Sequence, residues 1–211
     1  MAFEEYDDYE QEQLVKQWLK ENWFTIVAGI ALGIGAIYGY NYWLGSKEHK
    51  KVEAAQQFTE VNQLLELKEH DEAAQMIAKL EADFGNSLYS VEARMELAKK
   101  HMEEENLDAA IQQYQLILDG KPERSLAEIS RLRLARLKTS VGQYDEANTL
   151  LDSVRSEAYA SMIDEIRGDI LQAKGQSTGA ADAYQLALNS GEGYSGKTIL
   201  EMKLADIRPA E

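Results

Sequence analysis

Hydrophobic positions along the chain follow two different patterns. Residues 23–44 read WFTIVAGIALGIGAIYGYNYWL, a run without a single charged side chain. A helix over this run, at about 1.5 Å per residue, covers a hydrocarbon layer of about 30 Å. Beyond this run, apolar residues recur at helical spacing, and nothing suggests a strand. The pattern therefore predicts an all-α protein with a single N-terminal transmembrane helix over residues 23–44.

The residues around the apolar run indicate an uncleaved anchor. Residues 1–22 carry seven acidic and two basic side chains, whereas a removable signal peptide has a short basic leader and a small-residue cleavage site. Aromatic residues lie at both ends of the run, as in the interfacial belts of membrane spans: Trp18, Trp23 and Phe24 at one end, and Tyr38, Tyr40, Tyr42 and Trp43 at the other. Within residues 1–22 we expect an interfacial amphipathic helix that contacts membrane lipid through Leu14, Val15, Trp18 and Leu19.

Two glycine pairs within the predicted span have the spacing of a helix-packing motif. Gly29 and Gly33 are four residues apart, and so are Gly35 and Gly39. Small residues at this spacing let a second helix approach closely, although glycine is also generally common in spans. The four glycines are therefore a candidate transmembrane packing face, for a partner protein more readily than for a second copy.

The remaining residues, 45–211, contain four similar stretches: EHDEAAQMIAKL, ENLDAAIQQYQLIL, GQYDEANTLLDSV and GQSTGAADAYQLAL. Their matching alanines are Ala74, Ala110, Ala147 and Ala180, which recur at a nearly constant interval. This interval is close to the period of about 34 residues of tetratricopeptide repeats, each a pair of antiparallel helices. The side chains expected to pack beneath the next repeat lie four residues further on: Ala78, Tyr114, Leu151 and Tyr184. We therefore predict a tetratricopeptide-type α-solenoid, closed by the C-terminal capping helix GKTILEMKLADI.

The first helix of each pair is also recognisable. Ser87 is positioned to cap one of these helices, and Pro122 to begin the next. The small residues expected at the close contact with the second helix are Ala98, Ala135 and Gly168. Glu69 and Glu105 take the place of the usual turn glycine in the first two repeats.

In this register the first helices line a concave face, which suits an extended or helical peptide. The residues predicted to face it are Met95, Lys99, Met102, Leu132, Arg136, Thr139, Met162, Glu165 and Asp169. Methionine suits contacts with varied partners because its side chain repacks easily. Packing of the same methionines in the core between repeats is the alternative.

Charge and composition argue against several classes of function. A net charge of −15 disfavours a nucleic-acid partner. Without cysteine the chain has no disulfide, thiolate metal site or cysteine nucleophile. The histidines, His49, His70 and His101, are scattered along the sequence, so we expect neither a metal site nor a cofactor. Runs of acidic residues such as Glu103 to Glu105 are typical of solvated helix faces, and no catalytic residue is predicted.

One stretch resembles a nucleotide site by its letters alone. Residues 191–198, GEGYSGKT, fit the phosphate-loop pattern GxxxxGK[ST]. That loop needs a buried strand before it, whereas AADAYQLALNS precedes it here at helical spacing. Only the short segment ILEMKLADIRPAE follows Thr198, which leaves no room for a parallel sheet. We expect a turn between two helices and no nucleotide binding.

Three segments together carry a resemblance to a known family. They are VKQWLKENWFTIVAGIALGIGAIYGYNYW at residues 15–43, LRLARL at Leu132–Leu137 and IRGDILQAKGQ at Ile166–Gln176. The chain resembles the YfgM family, ancillary subunits of the bacterial SecYEG translocon. The resemblance implies a single-pass inner-membrane protein with a cytoplasmic N-terminus and a periplasmic repeat domain. It also implies association with SecYEG and with the periplasmic chaperone PpiD.

Two functional hypotheses follow. In the first, the protein is a membrane-anchored adaptor of the Sec translocon that binds unfolded or translocating polypeptides and passes them to periplasmic chaperones. In the second, it is a structural scaffold that tethers another cell-envelope complex without binding unfolded clients. Tetratricopeptide stacks serve both purposes, so the sequence does not separate the two. An enzyme is not expected.

Overall fold

The computed structural model describes residues 4–190 and 195–207. Over these residues the chain forms helices and no strands, which confirms the predicted all-α class. The helices are α1 (Glu4–Glu66), α2 (His70–Phe84), α3 (Leu88–Glu103), α4 (Leu107–Asp119), α5 (Arg124–Ser140), α6 (Tyr144–Asp152), α7 (Ala160–Ala173), α8 (Ser177–Ser190) and α9 (Lys197–Ile207). A short 3-10 helix, Glu157–Tyr159, precedes α7. The chain divides into two compact units, Met1–Val52 and Glu53–Glu211.

The first unit consists of the N-terminal part of α1. This helix contains the one described stretch that is long and apolar enough to cross a membrane. Large apolar side chains along it are exposed, among them Trp23, Ile30 and Trp43. The helix has no break at the start of the apolar run, where a surface helix that turns into the membrane would bend. Placement of residues 1–22 on the membrane surface stays a prediction.

The second unit is a stack of helix pairs. Residues 53–66 of α1 pack on α2, and the later pairs are α3 with α4, α5 with α6 and α7 with α8. The core is a series of apolar clusters, each shared by neighbouring helices. In the last cluster, Leu200 of α9 is fully buried against Ala180, Tyr184 and Ala187 of α8. A stack in which each helix pair contacts only the neighbouring pairs is typical of a solenoid.

The turn within each pair has the same geometry in all four repeats. Lys68, Glu105, Gly142 and Gly175 all have positive φ, between 60° and 78°. The next backbone N–H reaches back five residues, as from Asn106 to the carbonyl of His101 at 2.8 Å and from Gln143 to that of Lys138 at 2.8 Å. These are the hydrogen bonds of Schellman caps. The chain therefore reverses direction in the same way once in every repeat.

This geometry corrects the predicted register of the first repeat. The turn residue with positive φ is Lys68 and not Glu69. Five residues after each turn comes a fully buried alanine, which in the first repeat is Ala73. Ala74 is only half-buried and Ala78 is exposed. The side chain that packs beneath the next repeat is therefore Ile77, at 0 % exposure. Because Ala73 and Ala74 are adjacent, the sequence of this repeat also aligns with the other repeats in a register shifted by one residue.

The other repeats follow the predicted register. The fully buried alanines are Ala110, Ala147 and Ala180, and the large side chains four residues on, Tyr114, Leu151 and Tyr184, are buried as well. Ser87 caps α3 as predicted, its hydroxyl accepting a hydrogen bond from the N–H of Ser90 at 3.3 Å. α5 begins at Arg124, two residues later than the predicted start at Pro122.

The segment that resembles a phosphate loop lies partly outside the described residues, at 191–194. The residues that flank it are helical, since α8 ends at Ser190 and α9 begins at Lys197. The Lys197 ammonium lies 3.9 Å from the carboxylate of Glu201, one turn along α9. The buried strand that a phosphate loop requires is absent on the upstream side, where α8 stands.

Candidate protein-binding groove

A groove of about 570 Å³ lies between α3 and α5, the first helices of the second and third repeats. Its lining residues are Met95, Glu96, Lys99, Met102, Tyr114, Arg133, Arg136, Leu137 and Ser140. Those on α3, and likewise those on α5, follow one another at intervals of one or three positions. Such spacing places each set on a single helix face. The two faces oppose each other because the helix pairs stack side by side.

The groove combines apolar and charged side chains. Met95 is almost fully buried, and its sulfur accepts a hydrogen bond from Nη1 of Arg133 at 3.1 Å. Met102 is 42 % exposed near the end of α3. The ammonium of Lys99 lies 3.5 Å from the carboxylate of Glu96. Burial raises the pKa of the Tyr114 hydroxyl, so this side chain is neutral in the groove.

Four of the nine residues predicted for the concave face line this groove: Met95, Lys99, Met102 and Arg136. Leu132 does not, because it is fully buried with Ala135 and Ile166 in the cluster between α5 and α7. Thr139 also lies outside the lining, and its hydroxyl donates to the carbonyl of Ala135 at 2.8 Å. The face of α5 that is open to the groove is thus turned by one residue from the predicted one.

The three predicted residues of α7 lie elsewhere. Met162 is half-buried against the core cluster of α5, α6 and α7. The Glu165 carboxylate accepts hydrogen bonds from Arg136 at 3.0 Å and from Lys203 of α9 at 2.9 Å. Asp169 accepts from the same Lys203 at 2.7 Å. These acids therefore connect α7 to α5 and α9, and they do not extend the α3–α5 groove.

Five lining residues are not among those predicted from the sequence: Glu96, Tyr114, Arg133, Leu137 and Ser140. The helical spacing from Arg136 could have identified three of them, since Arg133, Leu137 and Ser140 share its helix face. Tyr114 is predicted only to pack beneath the next repeat. Its ring is buried as predicted, and it also borders the groove.

The histidines also differ from expectation. His70 and His101 are far apart in sequence, but their rings meet edge to face with centroids 5.3 Å apart. Nδ1 of His70 lies 3.4 Å from a carboxylate oxygen of Glu104. Burial, together with the neighbouring His70, lowers the pKa of His101 below its usual value. His70 and His101, which are scattered in the sequence, are therefore neighbours in the fold.

Helix pairs that repeat at a nearly constant interval, together with one apolar helical stretch, define a tetratricopeptide-type solenoid with a candidate membrane anchor. Residues 16–209 match the tetratricopeptide repeat-like domain family, and the chain belongs to that family.

Relatives similar over nearly the whole chain are each called an ancillary SecYEG translocon subunit. The protein from Escherichia coli K12 is 26 % identical over 95 % of this chain and 97 % of its own length. The one from Haemophilus influenzae is 29 % identical, over 98 % of this chain and 100 % of its own. The one from Aggregatibacter actinomycetemcomitans is 27 % identical, over 94 % and 95 %. These relatives confirm the resemblance to the YfgM family.

Proposed function

We propose that the protein is a non-catalytic, membrane-anchored adaptor of the Sec translocon that binds newly translocated polypeptides and helps pass them to periplasmic chaperones. Association with SecYEG is supported by the names of relatives that match over nearly their full length. Binding of polypeptides is supported by the groove between α3 and α5, which is the observation that carries the proposal. PpiD is the chaperone partner that the family resemblance suggests.

The groove suits a short apolar segment of an unfolded chain. Met102 offers an exposed apolar contact, while Met95 and Leu137 border the groove and are almost fully buried. Methionine adapts to side chains of different shape. The basic residues of the lining are Lys99, Arg133 and Arg136, against Glu96 in the lining and Glu165, which accepts a hydrogen bond from Arg136 at 3.0 Å. The rim therefore has a small excess of positive charge in a protein of net charge −15. We infer that the preferred segment is apolar and flanked by acidic residues, because basic groups at a rim select opposite charge.

The proposed placement is a single pass through the inner membrane, with residues 1–22 in the cytoplasm, 23–44 in the membrane and 45–211 in the periplasm. Charge does not support this orientation by itself. Two lysines precede the span, Lys16 and Lys20, and three follow it, Lys47, Lys50 and Lys51. The support is the family resemblance. Protease added to spheroplasts is expected to digest residues 45–211, and protection of these residues would reverse the orientation.

The proposed function can be tested by site-specific photocrosslinking of the full-length protein in its own membrane. A photoreactive amino acid at Met102, at the exposed end of the groove, is expected to crosslink to chains arrested during translocation. The same probe at Gln112, which is exposed on the second helix α4, serves as the matched control. If the probe at Met102 crosslinks to SecYEG but not to translocating chains, the alternative function is favoured, a scaffold that tethers another complex.

A further inference from the structure

Two imidazoles and one carboxylate meet where the first turn of α2 lies beside the last turn of α3. His70 is the first residue of α2, His101 lies in the last turn of α3, and Glu104 is the C-terminal cap of α3. One possible ligand atom from each of the three side chains lies within 4.8 Å of the other two. No other group of this kind occurs among the described side chains, those of residues 11–190 and 195–207.

We propose that His70, His101 and Glu104 bind one divalent transition-metal ion, with Zn²⁺ as the best match. Two imidazoles and a carboxylate are a known ligand set for zinc, in which a fourth position is left for water. Imidazole nitrogen favours zinc, copper and nickel, whereas magnesium and calcium favour oxygen ligands.

The distances fit this proposal. Ligand atoms bonded to a tetrahedral zinc at about 2.0–2.1 Å lie about 3.3 Å from one another. Nδ1 of His70 and Oε2 of Glu104 are already 3.4 Å apart. Because none of the ligand atoms is more than 4.8 Å from another, we infer that side-chain rotations bring all three to bonding distance.

One of the histidines also has a nitrogen atom that is otherwise unused. Nδ1 of His101 is buried without a hydrogen-bond partner. Buried polar atoms without partners are rare, and each such atom points to an ion, a water or a function.

Backbone hydrogen bonds hold the ligand positions. The N–H of Asn106 donates to the carbonyl of His101 at 2.8 Å, and the N–H of Glu69, next to His70, donates to the carbonyl of Leu64 at 2.9 Å. Both bonds belong to the Schellman turns of the first two repeats. The Glu104 side chain is 44 % exposed, which gives an ion access from solvent. A metal bound here connects the first repeat to the second.

The experiment uses the full-length protein in detergent, purified through a tag without histidine and treated with a chelator. Calorimetric titration with ZnCl₂ is expected to give one site, and MgCl₂ none. Because the metal binds only the folded chain, excess zinc is expected to raise the melting temperature by about 5–10 °C. Co²⁺ bound in the same place is expected to show the absorption bands of a tetrahedral ion.

Matched substitutions locate the site. His101→Gln and Glu104→Gln are each expected to weaken zinc binding at least tenfold, and His49→Gln, outside the cluster, is expected to leave it unchanged. Because the Glu104 side chain is substantially exposed, Glu104→Gln is expected to fold, and it tests the site even if His101→Gln fails to fold. Absence of saturable zinc binding would overturn the proposal, and so would equal binding by wild type and Glu104→Gln.

Discussion

The ring of Tyr184 lies directly against the backbone of Gly168, in the space that a side chain at Gly168 would occupy. The tyrosine hydroxyl then donates to Asp169 at 2.7 Å, next to that glycine. Helices α7 and α8 approach so closely because one position has no side chain and the facing position has a large one. The two residues are therefore sterically complementary.

Replacing Gly168 by alanine is therefore expected to destabilise the protein. A Cβ at this position would overlap the Tyr184 ring, and relief of such overlap costs about 1–3 kcal/mol. The gain in helix propensity of about 1 kcal/mol offsets only part of this cost. Denaturant unfolding of the full-length protein in detergent measures the difference.

Gly179→Ala in α8 is the matched control. Its Cβ would lie 3.5 Å from Leu171, an ordinary contact, so this variant is expected to be as stable as the wild type or slightly more stable. Equal stability of Gly168→Ala and Gly179→Ala would mean that the close contact between α7 and α8 is absent.

A second prediction tests the register of the first repeat. Ala73→Leu adds methylenes at a fully buried helix contact and is expected to cost about 1–3 kcal/mol. Ala78→Leu makes the same change at an exposed position of α2, and its effect is expected to stay within about 0.5 kcal/mol. The two variants are compared by denaturant unfolding, and a larger loss for Ala78→Leu would restore the register read from the sequence.

Helix periodicity and repeat spacing were sufficient to predict the helix pairs. They failed in the first repeat because Ala73 and Ala74 are adjacent, and letter matching cannot choose between them. The turn determines the register, because Lys68 adopts the positive φ that Gly142 and Gly175 adopt in later repeats. Nothing in a lysine signals this conformation, since it is imposed by the two hydrogen bonds of the Schellman cap.

The groove was only partly predictable for a related reason. Met95, Lys99 and Met102 follow from the periodicity of α3 alone, whereas the facing residues depend on how α5 is rotated about its axis. With α5 in this rotation, Leu132 is buried in one cluster with Ile166 of α7, which is packing between repeats and not within a helix. The His70 and His101 pair likewise depends on the turns of two successive repeats, and neither histidine has a local ligand pattern.

A third prediction concerns acid stability and Glu128, a buried carboxylate of α5. Burial raises its pKa, but hydrogen bonds from the N–H of Arg155 and from Arg124, both 3.1 Å, lower it more, so the folded pKa is below the usual value. A depressed carboxyl pKa stabilises the fold above the unfolded value of about 4.5, and this contribution is lost as pH falls through the folded value.

Glu128→Gln is therefore expected to be less stable than the wild type at pH 7 and to lose less stability between pH 6 and pH 3. Melting temperatures measured across that range test the difference. Glu60→Gln removes the same charge from an exposed position of α1 and is expected to follow the wild-type curve. Parallel curves for wild type and Glu128→Gln would show that the Arg155 contact does not bind the ionised carboxylate.

The last prediction concerns the candidate packing face of the span. A Cβ at Gly29, Gly33, Gly35 or Gly39 meets no atom within 4 Å, so none of these glycines is required by contacts within the described chain. At about 100° per residue, the two glycine pairs lie about 120° apart on the same half of the helix. The opposite half carries Ile26, Ile30, Ile34 and Ile37. We infer that the half with the glycines, which also carries Leu32 between the two pairs, contacts a partner helix, and that the bulky half with the isoleucines faces lipid.

Replacing Gly33 and Gly35 by leucine is expected to keep the helix inserted, because leucine is at least as apolar as glycine, but to hold a neighbouring helix away. The variant is therefore expected to remain in the membrane fraction and to co-purify less SecYEG or PpiD in mild detergent. The double variant Ile30→Leu and Ile34→Leu, on the bulky half, is the control and is expected to co-purify normal amounts. Undiminished co-purification of the glycine variant would mean that these glycines are ordinary span composition, and that the repeat domain alone holds the complex together.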